Sequence, residues 1–353
     1  MKITKNLSKS PAPVHNWKSF LIEVTNRCNF KCVHCAVVNC DKASLAKPEL
    51  TYDEICSAID QIDAIADPLI AFTGGEPFMR KDFWDILKYV KRRNLRATLS
   101  TNASLITEEW ADKLKKISLG TGKGGLDPDE INSDIAVTVY GMDSKTYDTV
   151  TRTKGNYKKA MNGINALLKR DMSVSIRMPL LRELVDQWDD FRATFLNKKG
   201  VAYIFPITTI RPTMDGLRTP YEHSLTAKKL EEFFSKNPRY AQPESDYVCS
   251  IAKRQSLTLA ANGDILPCFN VRNTDMNIRH VSLKEALEKS IFFKKIMKFR
   301  WQDAPLCKKC GAIQFCTPCP GVFLLDTGNS FKPGRSYCRV AWAKKRVMDR
   351  NKK

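Results

Sequence analysis

Hydrophobic and polar positions follow two different periods along the chain as far as about residue 240. Runs rich in β-branched and aromatic residues indicate strands at 19–24, 69–74, 97–102, 135–141, 173–178 and 203–210. Between these runs apolar residues recur every three or four positions, as in "TYDEICSAIDQIDAI", where Thr51 is the predicted N-cap. Strict alternation of strand and helix predicts parallel strands with right-handed crossovers, hence an α/β barrel or a doubly wound sheet. Six such units favour an incomplete barrel.

After about residue 240 this alternation stops, and cysteine, glycine and proline become frequent. We therefore predict a small metal-supported domain in the carboxyl-terminal part. The predicted segments are an amino-terminal extension (1–18), the barrel (19–240), the small domain (241–342) and a basic carboxyl-terminal tail (343–353).

Twelve cysteines in 353 residues need a chemical explanation. The amino terminus lacks the apolar region of a signal peptide, and no window approaches the roughly 18 to 20 apolar residues of a membrane span. We therefore expect a cytoplasmic protein with no membrane partner. In a reducing compartment, cysteines serve metal ligation or redox chemistry more often than disulfide frameworks.

The formal net charge of +20 is spread along the chain in short pieces such as "KYVKRRNLR". Such a distribution favours a solvated surface over a nucleic-acid groove, and we expect no nucleic-acid partner. The same field would attract an acidic peptide or protein.

Three cysteines, Cys28, Cys32 and Cys35, stand in "CNFKCVHC", directly behind the first predicted strand. In a βα barrel the chemistry lies at the carboxyl ends of the strands. This spacing lets three thiolates bind one four-iron cluster and leaves one iron free for another ligand. A structural zinc site would need a fourth protein ligand, for which Cys40 is the only further local candidate.

The chain resembles the radical S-adenosylmethionine (radical SAM) enzymes. "CNFKCVHC" is similar to that family's cluster loop, with His34 where relatives usually have an aromatic residue. "TGGEP" at the end of the second strand is similar to the family's motif for the amino group of S-adenosylmethionine. The resemblance implies that the open iron chelates S-adenosylmethionine, whose reductive cleavage releases a 5′-deoxyadenosyl radical that abstracts a substrate hydrogen. A zinc loop combined with an ordinary turn is the alternative.

The resemblance also implies a set of contacts to the cofactor. The glycines would let the backbone approach the methionine moiety, and Glu76 would offer its carboxylate to the ammonium. Thr138 would lie near the cofactor, Arg152 would pair with its carboxylate, and Asn102 would face the ribose. For these last three, a polar residue that satisfies strand-end backbone is an equal alternative. The implied cofactor-binding residues are His34, Gly74, Gly75, Glu76, Pro77, Asn102, Thr138 and Arg152.

Seven of the other cysteines resemble those of the SPASM domain, which carries auxiliary iron–sulfur clusters in a radical SAM subgroup. "NGDILPC" is similar to that domain's β-hairpin, and "NG" is itself a turn signal. The resemblance implies three 4Fe-4S clusters. One auxiliary cluster would be held by Cys307, Cys310, Cys316 and Cys338, and the other by Cys249, Cys268 and Cys319.

Two departures affect the second auxiliary cluster. Only two residues separate Cys316 from the sixth cysteine, Cys319, in "CTPC", where the family usually has three. In addition, no extra cysteine lies shortly upstream of Cys249. Its fourth iron could therefore take a substrate group, water or a ligand other than cysteine. Zinc-ribbon binding is the alternative for this region. We expect Cys40 to flank the barrel cluster and Cys56 to be buried in the core.

SPASM enzymes mostly modify peptides or proteins. We expect a precursor-peptide substrate that receives a thioether or carbon–carbon cross-link, with flavodoxin or ferredoxin as electron donor. Alternatives are a tetrapyrrole or other cofactor precursor, peptide epimerisation, or sulfatase maturation. Sulfatase maturation is disfavoured because Phe269 stands where those maturases have an aspartate. Since fewer than twenty residues precede the first strand, leader recognition would need a separate binding protein or the basic surface. An electron carrier or zinc adaptor would not need "TGGEP".

Overall fold

The computed structural model describes residues 19–37, 47–65, 68–119, 135–243, 249, 256–272, 274–291, 293–294 and 304–351. Cys40 lies outside these residues. The strands are β1 (Ser19–Glu23), β2 (Leu69–Thr73), β3 (Arg96–Thr101), β4 (Ile135–Thr138), β5 (Val174–Pro179), β6 (Val201–Ile207), β7 (Ser256–Leu259) and β8 (Ile265–Leu266).

Helices connect each of the first six strands to the next, as the sequence predicts. These are α1 (Tyr52–Ile65), α2 (Phe83–Arg92), α3 (Glu108–Lys116), α4 (Ser144–Thr151), α5 (Asn156–Leu168) and α6 (Trp188–Phe195). The helices after β6 are α7 (Ala227–Lys236), α8 (Leu283–Lys289), α9 (Pro305–Lys308), α10 (Pro320–Thr327) and α11 (Arg335–Arg350). Thr51 and Glu54 form a reciprocal capping box at the start of α1: the Glu54 N–H donates to Thr51 Oγ1 and the Thr51 N–H donates to Glu54 Oε2.

The sheet has the strand order β6-β5-β4-β3-β2-β1-β7-β8. Strands β1 to β6 pair in chain order and in parallel, so their carboxyl ends share one edge. Strand residues Phe20, Ile22, Ile70 and Phe72 are buried. The predicted parallel α/β architecture is confirmed, and it brings the loops after β1, β2 and β3 together.

The carboxyl-terminal hairpin, formed by β7 and β8, extends this sheet. The two strands pair antiparallel around Asn262 and Gly263, and Gly263 has φ = +87°, which suits glycine in a tight turn. The sequence predicts this hairpin. It does not predict that β7 pairs in parallel with β1, opposite Ser19 to Ile22.

The stretch predicted as a basic tail is instead largely helical. Helix α11 continues to Arg350 and packs against α7. Val340, Ala343 and Val347 recur at helical spacing and are buried, which explains why the helix does not end at residue 342. Within the described residues no helix is long and apolar enough to cross a membrane. Cys56 is buried in α1, as predicted.

Candidate active site

The loop after β1 carries Cys28, Cys32 and Cys35 and is held against the end of α4. The N–H groups of Lys31 and Val33 donate to the carbonyls at 151 and 150, each at 2.9 Å. Phe30 packs edge-on against Tyr140 and Tyr147, with ring centroids 6.0 Å apart in both pairs. These contacts fix the loop independently of any bound group.

The two glycines after β2 allow the cysteine loop to approach closely. The Gly75 and Glu76 N–H groups donate to the carbonyls of Thr25 and Arg27 at 2.7 and 2.8 Å. A Cβ atom at Gly74 would lie 2.3 Å from the Thr25 carbonyl oxygen, and one at Gly75 would lie 2.2 Å from that of Arg27. A close backbone contact within the protein is therefore one reason why "TGGEP" has glycine at these two positions.

Glu76 is only 1% exposed and its carboxylate is held from β3. Thr101 Oγ1 donates to Oε1 at 2.7 Å, the Asn102 N–H donates to Oε2 at 2.8 Å, and the Phe78 N–H reaches Oε1 at 3.4 Å. Burial raises the pKa of Glu76 to about 7, although these hydrogen bonds oppose the shift. A buried carboxylate of this kind is a ready acceptor for a ligand amino group.

These elements line one cavity of about 470 Å³ at the carboxyl ends of the strands. Among the predicted site residues, its wall includes Cys28, Cys32, His34, Cys35, Gly74, Gly75, Glu76, Asn102 and Thr138. His34 lies 5.7 Å from the Tyr140 ring, and its Nδ1 is buried with no hydrogen-bond partner among the described residues.

Of the predicted cofactor-binding residues, Arg152 and Pro77 do not line this cavity, whereas Asn102 does. Arg152 is exposed, with φ = +51° after the end of α4, and the cavity wall does not include it. Pro77 is buried at the start of a short 3₁₀ helix, also away from that wall. Asn102 Nδ2 donates to Asn29 Oδ1 at 2.9 Å, so its amide orients the cysteine loop.

Several cavity residues were not predicted from the sequence. They are Ser100, Tyr140, Arg177, Arg211 and Tyr337, together with Phe269, which the sequence singles out only for replacing an aspartate. The sequence does contain a hint of Arg177, because it is the one charged residue in the predicted strand "SVSIRM". Ser100 lies in β3 and Tyr337 in α11, whereas Tyr140, Arg211 and Phe269 lie in loops whose position depends on the fold.

The barrel thiols fit a group that binds thiolates. Burial raises the pKa of Cys28 to about 12, and burial also raises that of Cys32, with further increases from the neighbouring cysteines. Three neighbouring thiols, of which Cys32 is buried and Cys28 and Cys35 are partly buried, cannot all ionise without a positive centre to offset their charge, and iron supplies one. Together with Glu76, the wall therefore offers donors for an iron–sulfur cluster and an acceptor for an amine.

The cysteines of the carboxyl-terminal domain fall into two electrostatically coupled sets. Burial raises the pKa of Cys268 to about 12, and the charges of Cys319 and Cys249 contribute to the shift. Burial likewise raises the pKa of Cys316 to about 12, with contributions from Cys338, Cys307 and Cys310. Each set has the same members as one of the two ligand sets that the resemblance implies, and the binding of clusters to them stays a prediction.

Within the described ranges, no group of three His, Cys, Asp or Glu side chains is arranged to bind a single metal ion. A four-iron cluster takes its thiolates on separate irons, so its ligands need not converge on one point.

Phe269 connects the cavity wall with the set of Cys249, Cys268 and Cys319. The Arg211 guanidinium lies 4.3 Å from its ring centroid, and the Arg272 guanidinium 5.4 Å. Arg272 is paired with buried Glu23 at the end of β1 through two contacts of 2.9 Å. Asn270 accepts a hydrogen bond from Arg211, and its amide lies 3.5 Å from Cys319 Sγ.

Comparisons with known proteins match both halves of the chain. The profile of the radical SAM superfamily matches residues 22–194, and that of the SPASM iron–sulfur cluster-binding domain matches residues 249–311. Fe-coproporphyrin III synthase of Methanosarcina barkeri is 32% identical over 178 residues, which are 50% of this chain and 39% of that protein. AdoMet-dependent heme synthase of the same organism is 23% identical over 332 residues, or 85% of this chain and 89% of that protein.

Solved structures share the fold. SuiB of Streptococcus suis bound to precursor peptide SuiA has a TM-score of 0.64 at 17% identity, covering 92% of this chain and 76% of that one. The enzyme anSMEcpe with bound AdoMet has a TM-score of 0.71 at 16% identity, covering 94% and 97%. These structures share the fold alone, and it is the two profile matches that show that the chain belongs to the radical SAM superfamily and carries a carboxyl-terminal SPASM domain.

Proposed function

We propose that this enzyme cleaves S-adenosylmethionine reductively and abstracts a hydrogen atom from a precursor peptide, forming a thioether or carbon–carbon cross-link. One observation carries the proposal: a single cavity is lined by the barrel thiols, by Glu76 and by Phe269 and Tyr337 of the SPASM part. A substrate group in that cavity would lie close to the cofactor and to the auxiliary domain together.

In this proposal the chain's residues have distinct tasks. Cys28, Cys32 and Cys35 hold the barrel cluster, and Glu76 accepts a hydrogen bond from the amino group of S-adenosylmethionine. The Asn29–Asn102 contact keeps the cysteine loop in place. When bound together, the reduced cluster and S-adenosylmethionine supply the 5′-deoxyadenosyl radical that removes the substrate hydrogen.

The two SPASM cysteine sets would hold two further clusters, three in all. They would accept the electron that the substrate radical loses, together with a proton released to solvent, as the cross-link closes. An external donor such as flavodoxin or ferredoxin would reduce the barrel cluster. The set of Cys307, Cys310, Cys316 and Cys338 is complete, whereas Cys249, Cys268 and Cys319 leave one iron to another ligand.

A peptide substrate is supported by related architecture and by charge. SuiB, which has the same fold over most of this chain, is described as bound to its precursor peptide. The net charge of +20 favours an acidic peptide, its leader held by the basic surface or by a separate binding protein.

The test is the mass of a candidate precursor peptide after co-expression with this enzyme. A mass loss of two hydrogens identifies a cross-link. A mass that is unchanged in ordinary water but increases by deuterium uptake in deuterated water identifies epimerisation instead. Unmodified peptide alongside active S-adenosylmethionine cleavage would contradict a peptide substrate.

A tetrapyrrole substrate is the second candidate. The heme synthase similarity, which covers 85% of this chain, favours it. Anaerobic incubation with coproporphyrin III or its iron complex should then give a product of altered mass that depends on S-adenosylmethionine.

A further inference from the structure

The cavity contains two arginines and too few acidic groups to balance them. Arg177 and Arg211 both line it, and Glu76 is the only carboxylate among the described lining residues. Both carboxylate oxygens of Glu76 already accept hydrogen bonds from β3. Apart from Glu76 and the cysteine thiols that would hold clusters, the described lining residues offer the two arginines no negative charge.

The two arginines differ in position. Arg177 Nη2 donates to Ser100 Oγ at 2.9 Å, and its Nε is buried with no hydrogen-bond partner in the described ranges. Its neighbour across the sheet is Thr138 of β4. Arg211 lies against Phe269 and Asn270 of the SPASM part.

The pKa shifts agree with this geometry. Burial lowers the pKa of both guanidinium groups, and the positive charge of Arg211 contributes to the shift of Arg177. No carboxylate raises either pKa: Tyr337, Cys319 and Cys35 raise that of Arg211, and Tyr140 raises that of Arg177. The like charges of the two arginines repel each other in a partly buried cavity unless an anion is bound there.

Arg272 provides an internal comparison. It approaches the same Phe269 ring as Arg211, but its charge is neutralised by the two contacts to Glu23. Of the two arginines that flank this ring, only the one facing the cavity lacks an acidic partner among the described residues.

S-adenosylmethionine brings one carboxylate, which can neutralise one of the two cavity arginines. We propose that Arg211 binds a carboxylate of the substrate, so that the enzyme selects substrates by an acidic group next to the reacting centre. This inference rests on the proposed function, since it assigns the chemistry of the substrate in the same cavity. A guanidinium stacked on an aromatic ring is pre-organised for such pairing.

The acidic group could belong to a peptide or to a tetrapyrrole, and two pairs of chemical probes distinguish these sources. The first pair is a tetramethylrhodamine-labelled Glu-Gly repeat peptide and its Gln-Gly counterpart, followed by fluorescence anisotropy. The second is coproporphyrin III and its propionamide derivative, followed by absorbance. Binding is measured on the reconstituted enzyme with S-adenosylmethionine present and without reductant, so that no turnover is needed.

We expect the acid member of one pair to bind about ten- to a hundredfold more tightly than its amide, the range of a buried charge-assisted hydrogen bond. Arg211→Gln should abolish this preference, and Arg211→Lys should retain part of it. Lys116→Gln, which removes an exposed charge at the end of α3, should leave the preference unchanged. Iron content and thermal unfolding of each variant show whether a loss reflects misfolding, and Arg211→Lys keeps the test decisive if Arg211→Gln does not fold.

Equal binding of acid and amide in both pairs would overturn the inference. So would an acid preference that persists in Arg211→Gln while the reduction potential of the auxiliary cluster shifts, because Arg211 would then only compensate cluster charge. An acid preference without product formation would support the carboxylate site and count against the proposed function.

Discussion

The cysteines of the barrel loop and those of the SPASM domain are brought together in different ways. Cys28, Cys32 and Cys35 lie on one short loop, fixed by backbone hydrogen bonds to α4 and by the glycines after β2. The two SPASM sets draw their members from residues 249 to 338, across a hairpin, several loops and two helices.

This difference shows what each site depends on. The barrel loop carries its three cysteines on one short segment that backbone contacts to α4 and to the loop after β2 hold in place, so we expect its geometry to exist before a cluster binds. The SPASM sets depend on the docking of distant segments, so cluster binding and folding should be coupled there. The following variants test that contrast.

The largest effect is expected from Cys28→Ala, Cys32→Ala and Cys35→Ala combined. Cleavage of S-adenosylmethionine, measured as 5′-deoxyadenosine, should be abolished, while auxiliary iron and fold remain. Stoichiometric zinc without iron–sulfur absorbance in the wild-type protein would contradict the assignment of all three sets.

Combined substitutions should separate the two SPASM sets. Since a set reduced to two thiolates should not hold a cluster, Cys307→Ala with Cys316→Ala should lose the iron of one cluster. Adding Cys268→Ala, which reduces the other set to two thiolates, should lose about twice as much iron, because the losses from two independent clusters add. Iron and sulfide analysis after anaerobic reconstitution measures this, and equal losses in the double and the triple variant would merge the sets into one.

Glu76→Ala should weaken S-adenosylmethionine binding about ten- to a hundredfold, since a charge-assisted hydrogen bond contributes roughly 1.5 to 3 kcal/mol. Because burial raises the pKa of Glu76 to about 7, the ionised acceptor is lost as the pH falls through that value. Wild-type affinity should therefore decline below about pH 7. Calorimetric titration at several pH values should show a weaker decline in Glu76→Gln, and parallel profiles would exclude Glu76 as the titrating group.

Gly75→Ala should destabilise the protein by about 1 to 3 kcal/mol, because its Cβ would clash with the Arg27 carbonyl of the cysteine loop. Gly311→Ala in the SPASM domain is the matched control, since the nearest atom to its Cβ would be 3.6 Å away on the Trp342 ring. Urea unfolding compares the two. Equal stability of both variants would show that the loop can move away from Gly75.

The sequence predicts those parts of the molecule that local patterns determine. Strand and helix periods located the parallel sheet, and cysteine spacing with "TGGEP" located residues that now line one cavity. Arg211 could not be predicted in this way, because its partner Phe269 is distant in the chain and meets it only after folding. Arg152 was expected near the cofactor from a motif position, but the turn after α4 leaves it exposed.

The pairing of β7 with β1 affects how this protein could be divided. An unpaired edge strand presents a row of free N–H and C=O groups that invites pairing with other chains. Since β7 covers β1, a barrel cut after residue 240 would expose the very strand that leads into the cysteine loop. The SPASM part therefore cannot be removed without exposing β1. A shortened homologue that lacks the auxiliary cysteines must still keep the hairpin, or cover that edge in some other way.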